Sequence, residues 1–401
     1  MNIFLLTSVY PSKSSPKGTT PVVHYFTKEW VASGHRVHVF HFSPIFPKFY
    51  YCIGRIFGKF LSSRLGHVIP QIPPINYDEE VDGVLVTHMG LSKLVPYGRY
   101  KKKTIISAFK CVEKYVENEG VPTIFVGHWD NPQLELLDLL KKRFIRPSCI
   151  VFHSNHFSYL EARYKEETRS LLENVDLIGF RNITAKEEYE GLYGAPKHSF
   201  IAASGVSMAF IEAGNAFERH FNKDVKNYIF VGALMGRKHP AAIVEALSMS
   251  YGSNPFNLTY IGEGREKNQV LKIYSKRRCN GNLNFTGRIN RQEIITHLKM
   301  SDVFIMISED EIFGLVYLEA MALGCITIAS KHEGIDGIIE DGVNGFLCDA
   351  GNATALASVI SKINRMTDDE LNLMSIRAKS TAHRYTDKLV AENYINSLKW
   401  I

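Results

Sequence analysis

The chain has 401 residues, of which 45% are hydrophobic and 22% are charged. This length and composition predict a globular protein with two domains, each large enough to bury its own core. The formal net charge of +6 suits a substrate that carries phosphate, or an anionic membrane surface. Nucleic acid is excluded as a partner, because the sequence has no stripe of lysine and arginine with interleaved aromatic residues.

The cysteines and the first residues indicate a cytoplasmic protein. Six cysteines, at 52, 111, 149, 279, 325 and 348, form no Cys-x-x-Cys pair, and we interpret them as reduced thiols with disulfides as the minor alternative. The opening segment lacks a basic stretch, and its apolar run is too short for a signal peptide. No window approaches the roughly 18 apolar residues of a spanning helix. We expect the protein to be free in the cytoplasm or attached peripherally to the inner face of the plasma membrane.

The first half of the chain alternates predicted strands and helices. It opens with a strand at 2–9, a loop rich in Ser, Gly and Pro at 10–21, a helix at 22–33 and a strand at 36–42. Strand, glycine-containing loop, helix and strand is how a nucleotide-binding fold begins. Further strands are predicted at 83–87, 123–127, 149–152, 175–180 and 199–203, with helices at 100–119 and 184–193.

Residues 44–69 differ in character from their surroundings. Aromatic and aliphatic side chains alternate there with four cations: Lys48, Arg55, Lys59 and Arg64. A stretch of this kind can lie on a bilayer surface, and it is the best membrane candidate in the chain. The alternative is an insertion packed on its own domain.

His128 directly follows the predicted strand 123–127. Ligands of α/β proteins bind beyond the carboxyl ends of parallel strands, so this position favours a functional histidine. The alternative is a histidine bonded to a loop carbonyl. His153 and His156 follow the next strand and suggest a metal pair, but no third ligand is spaced to help them, so we predict no metal site.

The second half contains strands that end in glycine. Strands at 228–231, 258–261 and 283–286 are followed by Gly232, Gly262 and Gly287, and glycines at these ends let a planar base and a ribose approach the backbone. Helices are predicted at 241–249, 353–364, 368–384 and 385–401.

The most informative stretch is 308–324, which lies between the apolar strands predicted at 303–307 and 325–329. We predict a helix with Glu311 at its N-terminus, where the N–H groups of Phe313, Gly314 and Leu315 attract an anion. Glu319 would lie roughly 12 Å further along that helix. Two carboxylates with phosphate between them suit a nucleotide-sugar. The alternatives are a capped helix with two exposed glutamates and a divalent ion bound by residues 309–311.

The run Glu-Ile-Phe-Gly-Leu-Val-Tyr-Leu-Glu-Ala-Met-Ala-Leu-Gly at 311–324 resembles the signature of the retaining family-4 glycosyltransferases of GT-B fold (glycosyl transferases group 1). The resemblance extends over nearly the whole chain and is specific in the second half. It implies two Rossmann-like, doubly wound α/β domains that face a central cleft, with boundaries at 1–205 and 206–382. The helix at 383–401 would cross back to the first domain.

The resemblance also implies roles for individual residues. Glu311 would hold the sugar hydroxyls, Glu319 the ribose hydroxyls, Lys238 the donor diphosphate, and His128 would lie beside the sugar. The family has an arginine where Ala233 stands, and Arg237 is the candidate substitute. Further donor contacts are implied for Gly18, Gly232, Gly262, Arg288 and Ile289, together with the N–H groups of Phe313, Gly314 and Leu315.

The implied activity is metal-independent, retaining transfer of a hexose from a nucleoside-diphosphate sugar, with a UDP-sugar favoured and a GDP-sugar as the second candidate. The acceptor would be a hydroxyl of a glycan or lipid-linked glycan, as in cell-surface polysaccharide synthesis, with no cofactor beyond the donor itself. Two alternatives stay open: a non-catalytic relative that binds sugar-nucleotide, and an epimerase or phosphorylase of the same fold.

Overall fold

The structure is a computed structural model that describes residues 1–12, 21–65, 71–221, 227–277 and 280–401, with the backbone alone in 59–65. The chain divides into two compact units. Unit 1 comprises 1–181, 185–203 and 387–401, and unit 2 comprises 182–184 and 204–386. The last helix of the chain therefore belongs to the same unit as the first strand.

Unit 1 is built on an eight-stranded sheet. Its strands are Asn2–Thr7 (β1), Arg36–Ile45 (β2), Tyr77–Val81 (β3), Val84–Ser92 (β4), Ile124–His128 (β5), Ser148–Phe152 (β6), Leu177–Phe180 (β7) and Ser199–Ile201 (β8). The strand order is β3-β4-β2-β1-β5-β6-β7-β8, parallel except for β3. The chain proceeds from β1 to β2 on one side and later to β5 on the other. The β1/β5 boundary is therefore a topological switch point.

The helices up to residue 193 are Val22–Ala32 (α1), Lys48–Leu65 (α2), Lys102–Glu119 (α3), Gln133–Phe144 (α4), Ser158–Tyr164 (α5), Thr168–Glu173 (α6) and Ile183–Tyr193 (α7). The strands β1, β5 and β6 read as continuous apolar runs because both of their faces are buried. The core includes Phe4, Phe40, Phe125 and Phe152, all fully buried.

Unit 2 is built on a six-stranded parallel sheet. Its strands are Asn227–Val231 (β9), Phe256–Ile261 (β10), Gly281–Gly287 (β11), Val303–Ile305 (β12), Ile326–Ser330 (β13) and Phe346–Cys348 (β14). The order is β11-β10-β9-β12-β13-β14. Numbered within the unit, this is 3-2-1-4-5-6, the order of a Rossmann sheet, and its switch point lies between β9 and β12.

The remaining helices are Met208–Asn215 (α8), Pro240–Tyr251 (α9), Lys267–Arg277 (α10), Arg291–Lys299 (α11), Leu315–Ala322 (α12), Ala353–Arg365 (α13), Asp368–Arg384 (α14) and Asp387–Leu398 (α15). Two of them begin with a reciprocal cap: Asn290 with Glu293 on α11, and Thr367 with Glu370 on α14. The last helix, α15, packs in unit 1, where the indole N–H of Trp30 donates to the carbonyl of Ala391 at 3.0 Å.

Two further predictions can be compared with the structure. Cysteines 52, 111, 149, 325 and 348 are free. In the described parts of the chain, no helix combines the length and the apolar character that crossing a membrane requires.

Candidate functional site

The candidate site of unit 2 lies at its topological switch point. Lys238 ends a short 3-10 turn, Gly236–Lys238, that follows β9, and Glu311 lies on the loop that follows β12. Because β9 and β12 are parallel neighbours, their carboxyl ends open on the same edge of the sheet. This edge is where open α/β sheets bind their ligands.

Glu311 and Lys238 form an ion pair at this edge. The Lys238 Nζ atom lies 3.1 Å from Glu311 Oε2, and an Nη atom of Arg237 lies 3.4 Å from the same oxygen. Both side chains of the closer pair are mostly buried, with 13% and 11% of their surfaces exposed. The ammonium also lies 3.3 Å from Met306 Sδ. One carboxylate and two cations are therefore concentrated beside the end of β12.

The helix that the sequence predicted from Glu311 onward begins later than expected. The first residue of α12 is Leu315, so the expectation that Glu311 begins the helix that carries Glu319 is wrong. Gly314 has φ +72°, outside the helical region, and a Cβ there would approach Tyr317 Cε2 to 2.4 Å. The glycine is therefore required by the backbone turn and by Tyr317, whose hydroxyl donates to the Met306 carbonyl at 2.7 Å.

The beginning of α12 nevertheless presents hydrogen-bond donors. Among the described residues, the N–H groups of Gly314 and Leu315 have no hydrogen-bond partner. Both residues are partly exposed, whereas Phe313 is buried. Free N–H groups at a helix start favour an anion, and the predicted contact of these groups with phosphate stays a prediction.

The loop before α12 is held by several hydrogen bonds. An Nη atom of Arg237 donates to the carbonyls of Glu309 and Asp310 at 3.1 and 3.2 Å. The Glu333 carboxylate accepts the N–H groups of Asp310 and Glu311 at 3.1 and 2.7 Å. The Asn182 amide donates to the Ile312 carbonyl at 2.7 Å. Arg237 thus supports the loop, and its predicted contact with the diphosphate stays a prediction.

Glu319 is buried on α12, and its carboxylate pairs with the guanidinium of Arg291 at the start of α11. The Arg291 guanidinium in turn lies over the Phe210 ring, 5.5 Å from its centroid. This carboxylate therefore already has a cationic partner. Its predicted contact with the ribose stays a prediction.

The glycine turns after β9, β10 and β11 pack directly on each other. A Cβ at Gly262, which has φ +129°, would lie 2.0 Å from the Gly232 carbonyl oxygen, and one at Gly232 would lie 3.3 Å from Lys238 Nζ. The glycines thus allow the turns to meet and leave room for the lysine. Arg288 is exposed and lies 3.9 Å from the Glu263 carboxylate, and Ile289 is partly exposed beside it.

His128 lies in unit 1, at the carboxyl end of β5 and at that unit's switch point. It is fully buried, and its Nδ1 and Nε2 atoms lie 2.9 Å from His153 Nε2 and 3.2 Å from the Tyr394 hydroxyl. Burial, with the nearby Arg181 cation, holds the pKa of His128 well below its usual value, so the ring is neutral. Contact with the sugar stays a prediction. Gly18, which the resemblance placed on the donor, lies outside the described residues.

The described residues contain no group of three or more His, Cys, Asp or Glu side chains arranged to hold a metal ion. The acidic run 309–311 has its carboxylates directed to different partners: Glu309 lies 3.4 Å from His239, whereas Glu311 pairs with Lys238.

Sequence reasoning missed Glu333, Asn182 and Arg291. Each contacts the predicted site from a distant part of the chain, and none lies in the motif that carried the resemblance. Glu333 is 22 residues from Glu311, in the loop after β13, and Arg291 is 28 residues from Glu319. No local pattern indicates such pairs.

Known protein structures share the fold of this chain. Among solved structures, HepE from Anabaena in complex with UDP superposes over 100% of both chains with a TM-score of 0.69 at 16% identity. The two Rossmann-like sheets therefore have the GT-B fold. Residues 213–380 match the family model of glycosyl transferases group 1.

Two curated relatives show how far the sequence similarity extends. The N-acetyl-alpha-D-glucosaminyl L-malate synthase of Bacillus anthracis is 30% identical over 37% of this chain, and the matched stretch spans only 39% of that protein. The UDP-Gal:alpha-D-GlcNAc-diphosphoundecaprenol alpha-1,3-galactosyltransferase of Escherichia coli is 24% identical over 68% of this chain and 72% of its own length.

Proposed function

We propose that this protein is a retaining, metal-independent glycosyltransferase that moves a hexose from a nucleoside-diphosphate sugar to a hydroxyl of a glycan or lipid-linked glycan. The observation that carries the proposal is the Lys238–Glu311 pair at the switch point of unit 2, with the free N–H groups of Gly314 and Leu315 nearby. A cation and a helix start suit a diphosphate, and a carboxylate suits sugar hydroxyls.

In the proposed reaction, positively charged and N–H groups lie where negative charge develops on the leaving diphosphate. As the bond between C1 of the hexose and the phosphate oxygen breaks, the diphosphate gains a negative charge that Lys238 and the start of α12 stabilise. Such stabilisation is greater in the transition state than in the ground state, so it accelerates the reaction. The acceptor oxygen forms its bond to C1 on the same face, and its proton passes to the departing phosphate oxygen.

Donor binding requires an exchange of partners around Lys238. Its ammonium now contacts the Glu311 carboxylate at 3.1 Å, and the diphosphate would compete for it. Arg237, at 3.4 Å, stays beside Glu311 as the ammonium turns to phosphate. Glu311 would then accept hydrogen bonds from the sugar.

A uridine diphosphate donor is favoured by the relatives. The Escherichia coli relative is named for a UDP-galactose donor and a diphosphoundecaprenol-linked acceptor, and the Anabaena neighbour was solved with UDP. We carry both to this chain as proposals: a UDP-hexose as the donor and a lipid-linked glycan as the acceptor.

The test is whether nucleoside diphosphate is released only when acceptor is present. Purified protein is incubated with UDP- or GDP-hexose, with and without a lipid-linked acceptor and with and without EDTA, and released diphosphate is measured. We expect acceptor-dependent, EDTA-insensitive release of UDP and an α-linked product from an α-linked donor. Donor binding without release would favour a non-catalytic relative. A changed sugar in the absence of acceptor would favour an epimerase. Formation of sugar 1-phosphate from a glycan and inorganic phosphate would favour a phosphorylase.

The acceptor side of the proposal rests on α2 in unit 1. Four large apolar side chains of this helix are exposed, and we call them the α2 apolar patch: Phe49, Ile53, Ile56 and Phe57. The exposed cations Lys48 and Arg55 lie on the same helix, whereas Gly54 and Gly58 are buried. Exposed apolar side chains with interspersed cations are the composition of a helix at an anionic lipid surface.

A second exposed apolar segment begins beside the residues that lead into α2. The N–H of Lys93, directly after β4, donates to the carbonyl of Ile45 at the end of β2, three residues before α2 begins. Leu94, Val95 and Tyr97 follow and are 62%, 58% and 73% exposed. This second apolar segment also supports attachment to a membrane that holds the acceptor.

Flotation with vesicles that contain anionic phospholipid tests this attachment. The double variant Lys48→Glu/Arg55→Glu should lose most of the vesicle-bound fraction, because two attractive charges become repulsive. The control Lys102→Glu/Lys103→Glu changes the same charges at the exposed start of α3. Equal binding of the wild type and both variants would contradict the membrane proposal.

A further inference from the structure

Glu333 and Gly334 hold the backbone of Glu311 from two sides. The Glu333 carboxylate accepts the N–H groups of Asp310 and Glu311, and the N–H of Gly334 donates to the Glu311 carbonyl at 2.7 Å. Both backbone polar groups of Glu311 are thus bound by consecutive residues of another loop. The proposed sugar-binding carboxylate is fixed in position through its own main chain.

Gly334 is required for this approach. A Cβ at residue 334 would lie 2.3 Å from the Ile312 carbonyl carbon and 2.4 Å from the Phe313 nitrogen. The two loops therefore meet with backbone against backbone, and no larger residue fits. Because the backbones meet at Gly334, the side chain of residue 333 can reach the N–H groups of both Asp310 and Glu311.

The choice of a carboxylate at 333 has an electrostatic cost. Burial raises the pKa of Glu333 above its usual value, the two N–H donors oppose this shift, and the nearby Asp310 and Glu311 carboxylates add to it. The other charged groups around Glu311 are Arg237 and Lys238, which contact its side chain. A third carboxylate is thus held next to two others, against charge repulsion.

A neutral side chain would avoid that repulsion but would not replace both bonds. Glutamine has the same length, yet it offers one acceptor oxygen and one NH2 group, which is a donor. If its oxygen accepts the N–H of Glu311, its NH2 faces the N–H of Asp310. Only the ionised carboxylate satisfies both adjacent N–H groups.

We infer that Glu333 is a positioning residue that orients the Glu311 carboxylate towards the hexose of the donor. This inference rests on the proposed function. Glu333 itself does not contact the donor; it fixes the loop on which the contacting residue lies.

Two substitutions test the inference. Glu333→Gln should lower kcat/KM at least tenfold and Glu333→Ala further, because one or both of the hydrogen bonds from the N–H groups of Asp310 and Glu311 are lost. The melting temperature should change little in Glu333→Gln, since the removal of repulsion among three carboxylates offsets the lost hydrogen bond. The matched control is Glu340→Gln, at an exposed glutamate seven residues further on whose side chain has no ion pair among the described residues.

The pH profile separates positioning from a structural role. Because the pKa of Glu333 is raised, the carboxylate takes up its proton at a higher pH than an ordinary glutamate, and kcat/KM of the wild type should fall there. That acid limb should persist in Glu340→Gln and be absent in Glu333→Gln. Full activity in both Glu333 variants at every pH, or an unchanged acid limb in Glu333→Gln, would overturn the inference.

A readout independent of turnover keeps this result distinct from the proposed function. Amide hydrogen exchange at residues 310–311 should accelerate in Glu333→Gln and stay slow in Glu340→Gln. Wild-type protein that releases no diphosphate with any donor and acceptor would refute the proposed function. Unchanged exchange in Glu333→Gln would refute the positioning role, with or without activity.

Discussion

At the scale of single residues, Lys238 carries the strongest prediction. Lys238→Ala should lower kcat about 10- to 150-fold, the worth of one charge-assisted hydrogen bond of about 1.5–3 kcal/mol in the transition state. Arg237, beside the same carboxylate, should keep Glu311 paired, so the protein should fold as before. Single-turnover rates with UDP-hexose measure the effect. Lys272→Ala, at an exposed lysine on α10, is the control, and an equal loss in both variants would contradict the role of Lys238.

Three buried histidines of unit 1 predict loss of stability in acid. Burial lowers the pKa of His41 to about 3; the neighbouring His88 lowers it further, and a hydrogen bond with the backbone of Ser8 opposes the shift. Burial and the Arg181 cation hold the pKa values of His128 and His153 well below the usual value. The unfolded chain takes up these protons below about pH 6.5 and the folded chain does not. The free energy of unfolding is therefore unaffected by these histidines above about pH 6.5 and decreases as the pH falls below it.

Urea unfolding at pH 7.5 and pH 5.5 measures this effect. Each histidine should reduce the free energy of unfolding by about 1.4 kcal/mol per pH unit below its ordinary pKa. In His41→Gln, the slope of the free energy of unfolding against pH should decrease by the amount that corresponds to about one proton. In His332→Gln, at an exposed histidine, this slope should stay unchanged. A flat profile between the two pH values would show that these histidines are charged in the folded protein.

The residue scale also shows what the sequence could and could not predict. Lys238 and Glu311 were predicted together because the family motif keeps both in register, and the structure places them 3.1 Å apart. Burial of His128 was not predicted, because one of the groups that cover it, Tyr394, is 266 residues away in the chain. Contacts over such separations leave no periodicity in a single sequence.

At the scale of elements, the start of α12 depends on one glycine. Gly314→Ala should destabilise the protein by about 1–2 kcal/mol, because the residue needs a left-handed backbone, and the added Cβ also meets Tyr317. The N–H groups of residues 314 and 315 should then be displaced, and affinity for UDP should fall with stability. Thermal unfolding with and without UDP measures both.

Gly191→Ala is the control for that substitution. Gly191 lies in α7, has nothing within 4 Å of an added Cβ, and keeps a helical backbone. Alanine there should leave the protein as stable or more stable by up to about 1 kcal/mol. If Gly314→Ala also binds UDP and unfolds like the wild type, the start of α12 is not part of the donor site.

The elements themselves were largely predictable, but the ends of some of them were not. The helices predicted at 22–33 and 368–384 are observed as Val22–Ala32 and Asp368–Arg384, because an apolar face or a reciprocal cap marks them in the sequence. The helix predicted from Glu311 onward begins later because residues 309–312 bind Arg237, Glu333 and Asn182 instead of one another. Tertiary hydrogen bonds outweighed local preference there.

At the scale of the whole molecule, the last helix is an integral part of unit 1. Tyr394 packs its ring on Trp30 at 4.9 Å and on Phe200 at 4.8 Å between centroids, while its hydroxyl lies beside His128. Tyr394→Ala should therefore destabilise unit 1 by about 3–5 kcal/mol, as in other truncations of large buried rings.

Hydrogen exchange followed by mass spectrometry measures this effect separately in each unit. Peptides of β1, α1 and β5 should exchange faster in Tyr394→Ala, while peptides of β9 and β12 should not change. Lys388→Ala, at an exposed lysine on α15, is the control. Equal acceleration throughout the chain would show that the two units unfold together.

The return of α15 to unit 1 also has a consequence during synthesis on the ribosome. The indole N–H of Trp30 donates to the carbonyl of Ala391, which is translated only after all of 204–386. Until then, α15 cannot cover Trp30 and its neighbours in unit 1. All six strands of the unit 2 sheet are translated before α15, so unit 2 can complete its folding before unit 1 does. Chaperones that shield apolar surface should therefore engage the early part of this polypeptide for longest.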